Sequence, residues 1–215
     1  MRLANGYNQT RLNKLEDLKY TLDNSEDYLQ KIFKDYNQYL SDDGRKINVD
    51  LNDDRKKLLL QYLVTQKTQL AHMGEYVIST EEKPIIGTSA LDTCYGMVLY
   101  DRERKFGIVG HGYESNAIPL LEEIIDIFPK YPNQVVEYAI IPGYRTEERK
   151  DRKITDRLLE IMKKVPNAKH FQGDLGVQVG KHLYYEFAFD VRTGQSRSSE
   201  VFYDTIKDND ILRRK

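Results

Sequence analysis

Residues 88–111 read TSALDTCYGMVLYDRERKFGIVGH, and this segment carries the main signal for the fold class of the surrounding chain. Two apolar runs, at residues 96–100 and 106–109, flank the short charged segment DRERK. Short β-rich runs on either side of a polar turn are typical of a β-hairpin. The sequence therefore predicts two antiparallel strands here, with a cysteine near the start of the first and a histidine at the end of the second.

The register of this hairpin relates Cys94 to His111. A turn centred between Arg102 and Glu103 places Cys94 directly opposite His111. Facing residues of an antiparallel pair point to the same side of the sheet, with Cβ atoms about 5 Å apart. We therefore expect the thiol to lie within reach of the imidazole, whereas an odd-length loop would turn the two side chains to opposite faces.

A cysteine next to a histidine indicates nucleophilic chemistry, because the histidine lowers the pKa of the thiol and the thiolate is a strong nucleophile. Such a pair also needs a third group that orients the imidazole, and Thr88 and Asp92 are the candidates. The alternative interpretation is that Cys94 is a small buried hydrophobic residue and His111 a polar residue at a strand end. The residues alone indicate acyl transfer of an unspecified kind.

The chain changes character near residue 74. Apolar residues recur at helical spacing between positions 12 and 22, between 28 and 40, and again from Leu58 to Leu70. From Glu75 onward, short β-rich runs are interrupted by Gly, Pro or charged residues. We predict an all-helical extension over residues 1–73, acting as a lid or as a docking module, and an α+β domain over residues 74–215.

Within the α+β domain, helices are predicted over residues 116–128 and 154–165. Strands are predicted over residues 135–141, 183–191 and 200–203, with a hairpin turn at residues 192–195 between the last two. The run 145–157 mixes charges of both signs, which indicates a solvated loop and helix start or a docking surface for an acidic partner.

The composition limits the classes of function. The net charge of −1 gives no field that would attract nucleic acid or anionic lipid, so neither is expected as a partner. The N-terminus does not resemble a signal peptide and no apolar run is long enough to cross a bilayer, so we expect a cytoplasmic protein without membrane insertion. One cysteine and four scattered histidines provide no disulfide framework and indicate no metal site, and no cofactor is expected.

Several motifs resemble those of CheD, the bacterial chemoreceptor glutamine deamidase. The segment CYGMVLYD at residues 94–101 is similar to the family's strand C-[VA]-x-V-x-[LV]-Y-D, and the spacing of Thr88, Cys94 and His111 resembles its Thr/Cys/His pattern. The segments YESNAIP at 113–119, DLG at 174–176 and FDVRTG at 189–194 resemble later family motifs in the same order. The resemblance covers about residues 75–203 and omits the N-terminal region.

The resemblance implies a layered β-sheet core with packed helices and a cysteine-dependent amidohydrolase that deamidates a glutamine side chain of a protein substrate. It implies Cys94 as the nucleophile, His111 as its base and Thr88 as the residue that holds the imidazole. The backbone amides of Asp92 and Thr93 would contribute to the oxyanion hole, and these two residues stand where the family usually has Gly-Ser.

Three functions follow as alternatives. The first is a protein glutamine deamidase, acting in bacterial chemotaxis or on another protein. The second keeps the chemistry but changes the target, either as a delivered effector like the Rho-activating deamidase toxins that share the architecture, or as a small-molecule amidase. The third is a catalytically inactive binding module, in which Asp92 marks a lost oxyanion hole. The sequence does not specify the target protein or the oligomeric state.

Overall fold

The computed structural model describes residues 64–148, 152–180 and 182–202. The chain divides into two compact units, Met1–Gln66 and Lys67–Lys215. The helices expected over the first 63 residues lie outside the described residues. Every described strand, and each helix from Ala117 onward, belongs to the second unit.

The elements of this unit are short strands with a few helices between them. In chain order the strands are β1 (Thr68–Ala71), β2 (Tyr76–Ile78), β3 (Ile85–Leu91), β4 (Tyr95–Asp101), β5 (Phe106–Gly112), β6 (Val136–Pro142), β7 (Ala168–His170), β8 (Gln178–Val179), β9 (Tyr185–Asp190) and β10 (Gln195–Ser196). The helices are α1 (Ala117–Ile127), α2 (Tyr144–Glu148), α3 (Lys153–Met162) and α4 (Ser198–Val201).

The strands form two mixed sheets. The first has the order β1-β3-β9-β10, with β8 also paired to β9, and only its β1–β3 pair is parallel. The second has the order β2-β5-β4-β6-β7, and only its β6–β7 pair is parallel. Mostly antiparallel sheets with helices outside any regular βαβ alternation confirm the predicted α+β class.

The central strand β4 is buried on both faces, which places the second sheet in the middle of three layers. Met97 and Leu99 pack with residues of α1 and α3 in one core cluster. Val98 and Tyr100 point the opposite way and pack with residues of β3 and β9 in a second cluster. Residues alternate between the two faces of a strand, so the run of apolar residues in β4 fills both cores. Among the described residues, no helix is both long and apolar enough to cross a bilayer.

The hairpin of β4 and β5 forms, but its predicted register is wrong. Gly96, not Cys94, is paired with His111, and the last pair before the turn is Asp101 with Phe106. The turn is therefore centred one residue later than expected, between Glu103 and Arg104.

The physical reason lies in the turn itself. The Asp101 carboxylate accepts a hydrogen bond from the backbone N–H of Arg104 at 3.0 Å, which is the local bond that aspartate makes in turns. Lys105 adopts a positive φ of 53° and closes the four-residue loop. Moving the centre of the turn by one residue moves each partner by two, so every side chain stays on its expected face.

Other expectations are partly met. Helices α1 and α3 and strands β6 and β9 occur where they were predicted. Leu70, expected on the third N-terminal helix, instead lies in β1, which pairs with β3. The β1 residues therefore belong to the second unit, although they fall before the predicted boundary after residue 73.

The strand predicted at residues 200–203 is also wrong, because residues 198–201 form α4. Ser198 anchors the start of this helix: its hydroxyl contacts the carbonyl of Leu175 at 2.9 Å and accepts the N–H of Ala188 at 2.7 Å. The hairpin turn after Asp190 is present, but the returning strand is the short β10.

Candidate active site

His111 is held by a hydrogen bond from one sheet to the other. It lies near the end of β5 in the second sheet, and its Nδ1 is 2.8 Å from the hydroxyl of Thr88 on β3 in the first sheet. Both side chains are buried, with 3% of His111 and none of Thr88 exposed. Of the two groups that the sequence offered to orient the imidazole, Thr88 is the one that contacts it.

The bonds of Thr88 determine the tautomer of the imidazole. Its Oγ1 is also 2.8 Å from the carbonyl oxygen of Ala71 in β1. A carbonyl only accepts, so the hydroxyl proton goes to Ala71 and the oxygen must accept its other bond from the imidazole. His111 therefore carries its proton on Nδ1, and its Nε2 has a lone pair available to accept one.

Nε2 of His111 has no hydrogen-bond partner among the described residues, although it is buried. The pKa of His111 is lowered to about 4, chiefly because the imidazole is buried; the Ala71 carbonyl acts in the opposite direction, and the proximity of His72 adds a smaller lowering. The imidazole is therefore neutral at neutral pH, with an unoccupied basic nitrogen.

Cys94 directly precedes β4 and is 6% exposed. It belongs to the core cluster between the two sheets, so it lies on the face of the second sheet that His111 also occupies. Because Gly96 is the partner of His111, Cys94 is a diagonal neighbour of the histidine rather than the facing residue. Diagonal neighbours lie about 7–8 Å apart. The thiol and Nε2 accordingly share a face without a hydrogen bond between them.

The thiol of Cys94 is not activated in this arrangement. Burial raises its pKa, the negative charge of Asp92 raises it further, and a hydrogen bond with Thr93 acts in the opposite direction. The expected lowering of the thiol pKa is therefore wrong for the structure as it stands, because no imidazolium contacts the sulfur. The resting pair consists of a neutral thiol and a neutral imidazole.

The loop that carries Cys94 is fastened to the start of α2. The Asp92 carbonyl accepts the backbone N–H groups of Arg145 at 3.0 Å and Thr146 at 3.4 Å, and the Cys94 carbonyl accepts that of Gly143 at 2.7 Å. A Cβ on Gly143 would lie 2.4 Å from the Asp92 carbonyl oxygen, so only glycine permits this close approach.

The backbone amides of Asp92 and Thr93, which were expected in an oxyanion hole, differ in whether their N–H groups already donate a hydrogen bond. The N–H of Asp92 donates to the carbonyl of Ala90 at 3.0 Å and is therefore occupied. The N–H groups of Thr93 and Cys94 have no acceptor among the hydrogen bonds observed in the described residues. The N–H of Thr93 therefore stays a candidate donor for the oxyanion hole, whereas the N–H of Asp92 does not contribute as placed. The N–H of Cys94 is a further donor of suitable type.

Two residues that contact the candidate site residues were not predicted from the sequence. Ala71, whose carbonyl determines the role of Thr88, fell inside the predicted helical extension. Arg145, whose Nε is 3.3 Å from the Asp92 carboxylate, fell in a run interpreted as solvated. Neither position has a sequence signal, since one contributes only a backbone atom and the other one charge among many.

A cavity of about 690 Å³ lies elsewhere, between α1, α3 and the start of β6. Its wall includes Leu99, Phe128 and Ile161, and none of Thr88, Asp92, Cys94 and His111 lines it. Within the ranges that the structure describes, no three His, Cys, Asp or Glu side chains cluster as metal ligands would.

No family model matches the chain, and no curated protein matches it either.

Proposed function

We propose that the protein is a cysteine-dependent amidohydrolase that deamidates a glutamine side chain of a protein substrate, with Cys94 as nucleophile, His111 as base and Thr88 as the positioning residue. The observation that carries this proposal is the hydrogen bond from His111 Nδ1 to Thr88, which leaves an unoccupied Nε2 on the face that Cys94 shares. The motif resemblance to the CheD deamidases supports the choice of a glutamine carboxamide over other acyl substrates.

The proposed reaction assigns a role to each of these groups. As Sγ of Cys94 attacks the carboxamide carbon, Nε2 of His111 takes the thiol proton. The oxyanion is stabilised by the backbone amides of Thr93 and Cys94, and ammonia leaves with the proton from His111. Water, deprotonated by the same nitrogen, then hydrolyses the thioester to release a carboxylate and restore the thiol.

A neutral resting pair is compatible with this chemistry. Proton transfer occurs as the sulfur attacks, so no preformed thiolate is needed, and the negative charge that develops next to the imidazole stabilises its protonated form. Catalytic hydrogen bonds are often long in the absence of substrate and shorten in the substrate complex. The reaction therefore requires Cys94 and His111 to approach from their diagonal positions.

The test is a comparison of wild type with three variants, Cys94→Ser, His111→Gln and Thr88→Val, incubated with candidate bacterial proteins. Conversion of a specific glutamine to glutamate, found by mass spectrometry with wild type and lost with Cys94→Ser, supports the proposal. Unchanged conversion by His111→Gln would refute the assignment of the base. The same assay with free glutamine and with eukaryotic GTPases separates a small-molecule amidase and a toxin-like effector from an enzyme of bacterial signalling in the cytoplasm.

A second candidate is a binding module without catalysis. The observations that favour it are the raised pKa of the Cys94 thiol and the occupied N–H of Asp92. Under this alternative, Cys94→Ser would leave the affinity for a partner unchanged and no glutamine would be converted by wild type.

A further inference from the structure

The Asp92 carboxylate has one oxygen with an unused hydrogen-bonding capacity next to the nucleophile. Oδ1 of Asp92 is buried and accepts no hydrogen bond among the described residues. Nε of Arg145 is 3.3 Å from this oxygen, which makes an ion pair, but its N–H is not directed at it. Buried acceptors are almost always hydrogen-bonded, so this oxygen has the capacity to accept a donor that the described residues do not supply.

Structural stabilisation is a weak explanation for the carboxylate. The Arg145 side chain is 60% exposed and that of Asp92 39% exposed, and ion pairs of this kind contribute little to stability. The bonds that fasten the loop to α2 come from the backbone carbonyl of Asp92, so they do not require an acidic side chain. The negative charge does act on Cys94, because it contributes to the raised pKa of the thiol.

We propose that Asp92 is a specificity-determining residue, whose carboxylate accepts an N–H of a neutral primary carboxamide at Cys94 and repels a carboxylate in the same place. This inference rests on the proposed function, since it concerns the substrate of the same site. A carboxamide offers two N–H donors, whereas the carboxylate formed by deamidation offers none and is negatively charged. Asp92 would thus favour the substrate over the product and promote product release.

Two alkylating reagents isolate this effect from catalysis. Iodoacetamide carries a primary carboxamide, and iodoacetate carries a carboxylate of nearly the same size. Both react with the same thiolate, so the ratio of their rates at Cys94 cancels any change in the pKa of the thiol. We expect this ratio in the wild-type protein to exceed that of the urea-unfolded chain by about fivefold at low ionic strength.

Two substitutions should move the ratio in opposite directions. Asp92→Asn removes the charge and supplies a donor, so the ratio should fall at least to that of the unfolded chain. Arg145→Gln removes the neighbouring positive charge from an exposed position, so the ratio should rise above the wild-type value. Added salt should reduce the wild-type preference because it screens half-exposed charges.

A wild-type ratio equal to that of the unfolded chain overturns the proposal. An Asp92→Asn ratio equal to wild type overturns it as well. If Asp92→Asn is not folded by circular dichroism, Arg145→Gln decides alone, and a ratio that does not rise counts against the proposal. The alkylation experiment uses no glutamine substrate, so its result does not depend on the deamidation assay. Absence of glutamine conversion would refute the proposed function without changing the measured ratio. An unchanged ratio would refute the role of Asp92 without affecting the measured glutamine conversion.

Discussion

The Thr88 hydroxyl lies 2.8 Å from Nδ1 of His111 and 2.8 Å from the carbonyl oxygen of Ala71, so one hydroxyl joins β1, β3 and β5. The carbonyl requires the hydroxyl proton, and the imidazole must then donate to the hydroxyl oxygen. This chain of bonds assigns the free lone pair of the imidazole to Nε2, on the face of the sheet that Cys94 shares.

Replacing Thr88 with valine keeps the shape of the side chain and removes both hydrogen bonds. The buried Nδ1–H of His111 and the Ala71 carbonyl lose their partner, and we expect a loss of about 1–3 kcal/mol in the free energy of unfolding, measured by urea denaturation. If the proposed function holds, kcat for deamidation should fall on the order of a hundredfold, with a much smaller change in KM.

Thr88→Ser is the matched control because it keeps the hydroxyl. It should restore most of kcat even if it remains somewhat less stable than wild type. Equal kcat values for the valine and serine variants would show that the hydroxyl does not position the imidazole.

His111 should make folding stability depend on pH in a defined window. The pKa of His111 is lowered from 6.5 to about 4 in the folded protein, so between these values the unfolded chain binds more protons. Stability therefore rises with pH from about 4 to 6.5, by up to about 3 kcal/mol. Urea denaturation between pH 5 and 7.5 measures the slope.

His111→Gln is the control, because it removes the titrating group and should flatten the slope in this window. The buried carboxylates of Asp101 and Glu137 also have lowered pKa values, but their contributions are lost below their ordinary values of 3.8 and 4.5. A slope unchanged in His111→Gln would contradict the neutral buried imidazole.

Cys94 should titrate above an ordinary cysteine. Since burial and the charge of Asp92 raise its pKa, the rate of alkylation by iodoacetamide should reach half its maximum at a higher pH in the folded protein than in the urea-unfolded chain. Mass spectrometry of the alkylated protein over a series of pH values gives both midpoints. A folded midpoint at or below the unfolded one would indicate a resting thiolate–imidazolium pair instead.

Gly143→Ala should disturb the loop that carries the nucleophile. The added Cβ would lie 2.4 Å from the Asp92 carbonyl oxygen and 2.8 Å from the Leu91 carbonyl carbon, and backbone atoms do not move aside as side chains do. We expect a loss of about 1–3 kcal/mol in the free energy of unfolding, together with faster alkylation of Cys94 as the loop shifts.

Gly107→Ala, in β5, is the comparison for this variant. Its Cβ would lie 3.0 Å from methyl groups of Ile86 and Val191, which are side-chain atoms that can shift, and the nearest backbone atom, the Leu99 carbonyl oxygen, would lie at an ordinary contact distance of 3.5 Å. It should cost less stability and leave the alkylation rate of Cys94 unchanged. Equal effects of the two substitutions would argue against a specific role for the contact between Gly143 and Asp92.

The α+β class, the hairpin and the shared face of Cys94 and His111 were predictable from the sequence alone. These features depend on local patterns: apolar runs around a polar turn, and the two-residue period of a strand. The prediction of a shared face is correct although the predicted centre of the turn is wrong. The error displaced the partner of His111 by two residues, from Cys94 to Gly96, and a shift of two residues keeps each side chain on the same side of the sheet.

The arrangement of these residues into a site depends on contacts between distant parts of the chain. The contact between Thr88 and His111 crosses from one sheet to the other, and the third member of the chain is a backbone carbonyl of Ala71, in a segment predicted to be helical. Nothing in the side-chain pattern encodes the position of a backbone carbonyl. The direction of the pKa shifts also required the structure, since burial and the position of Asp92, rather than the presence of a histidine, raise the pKa of the Cys94 thiol.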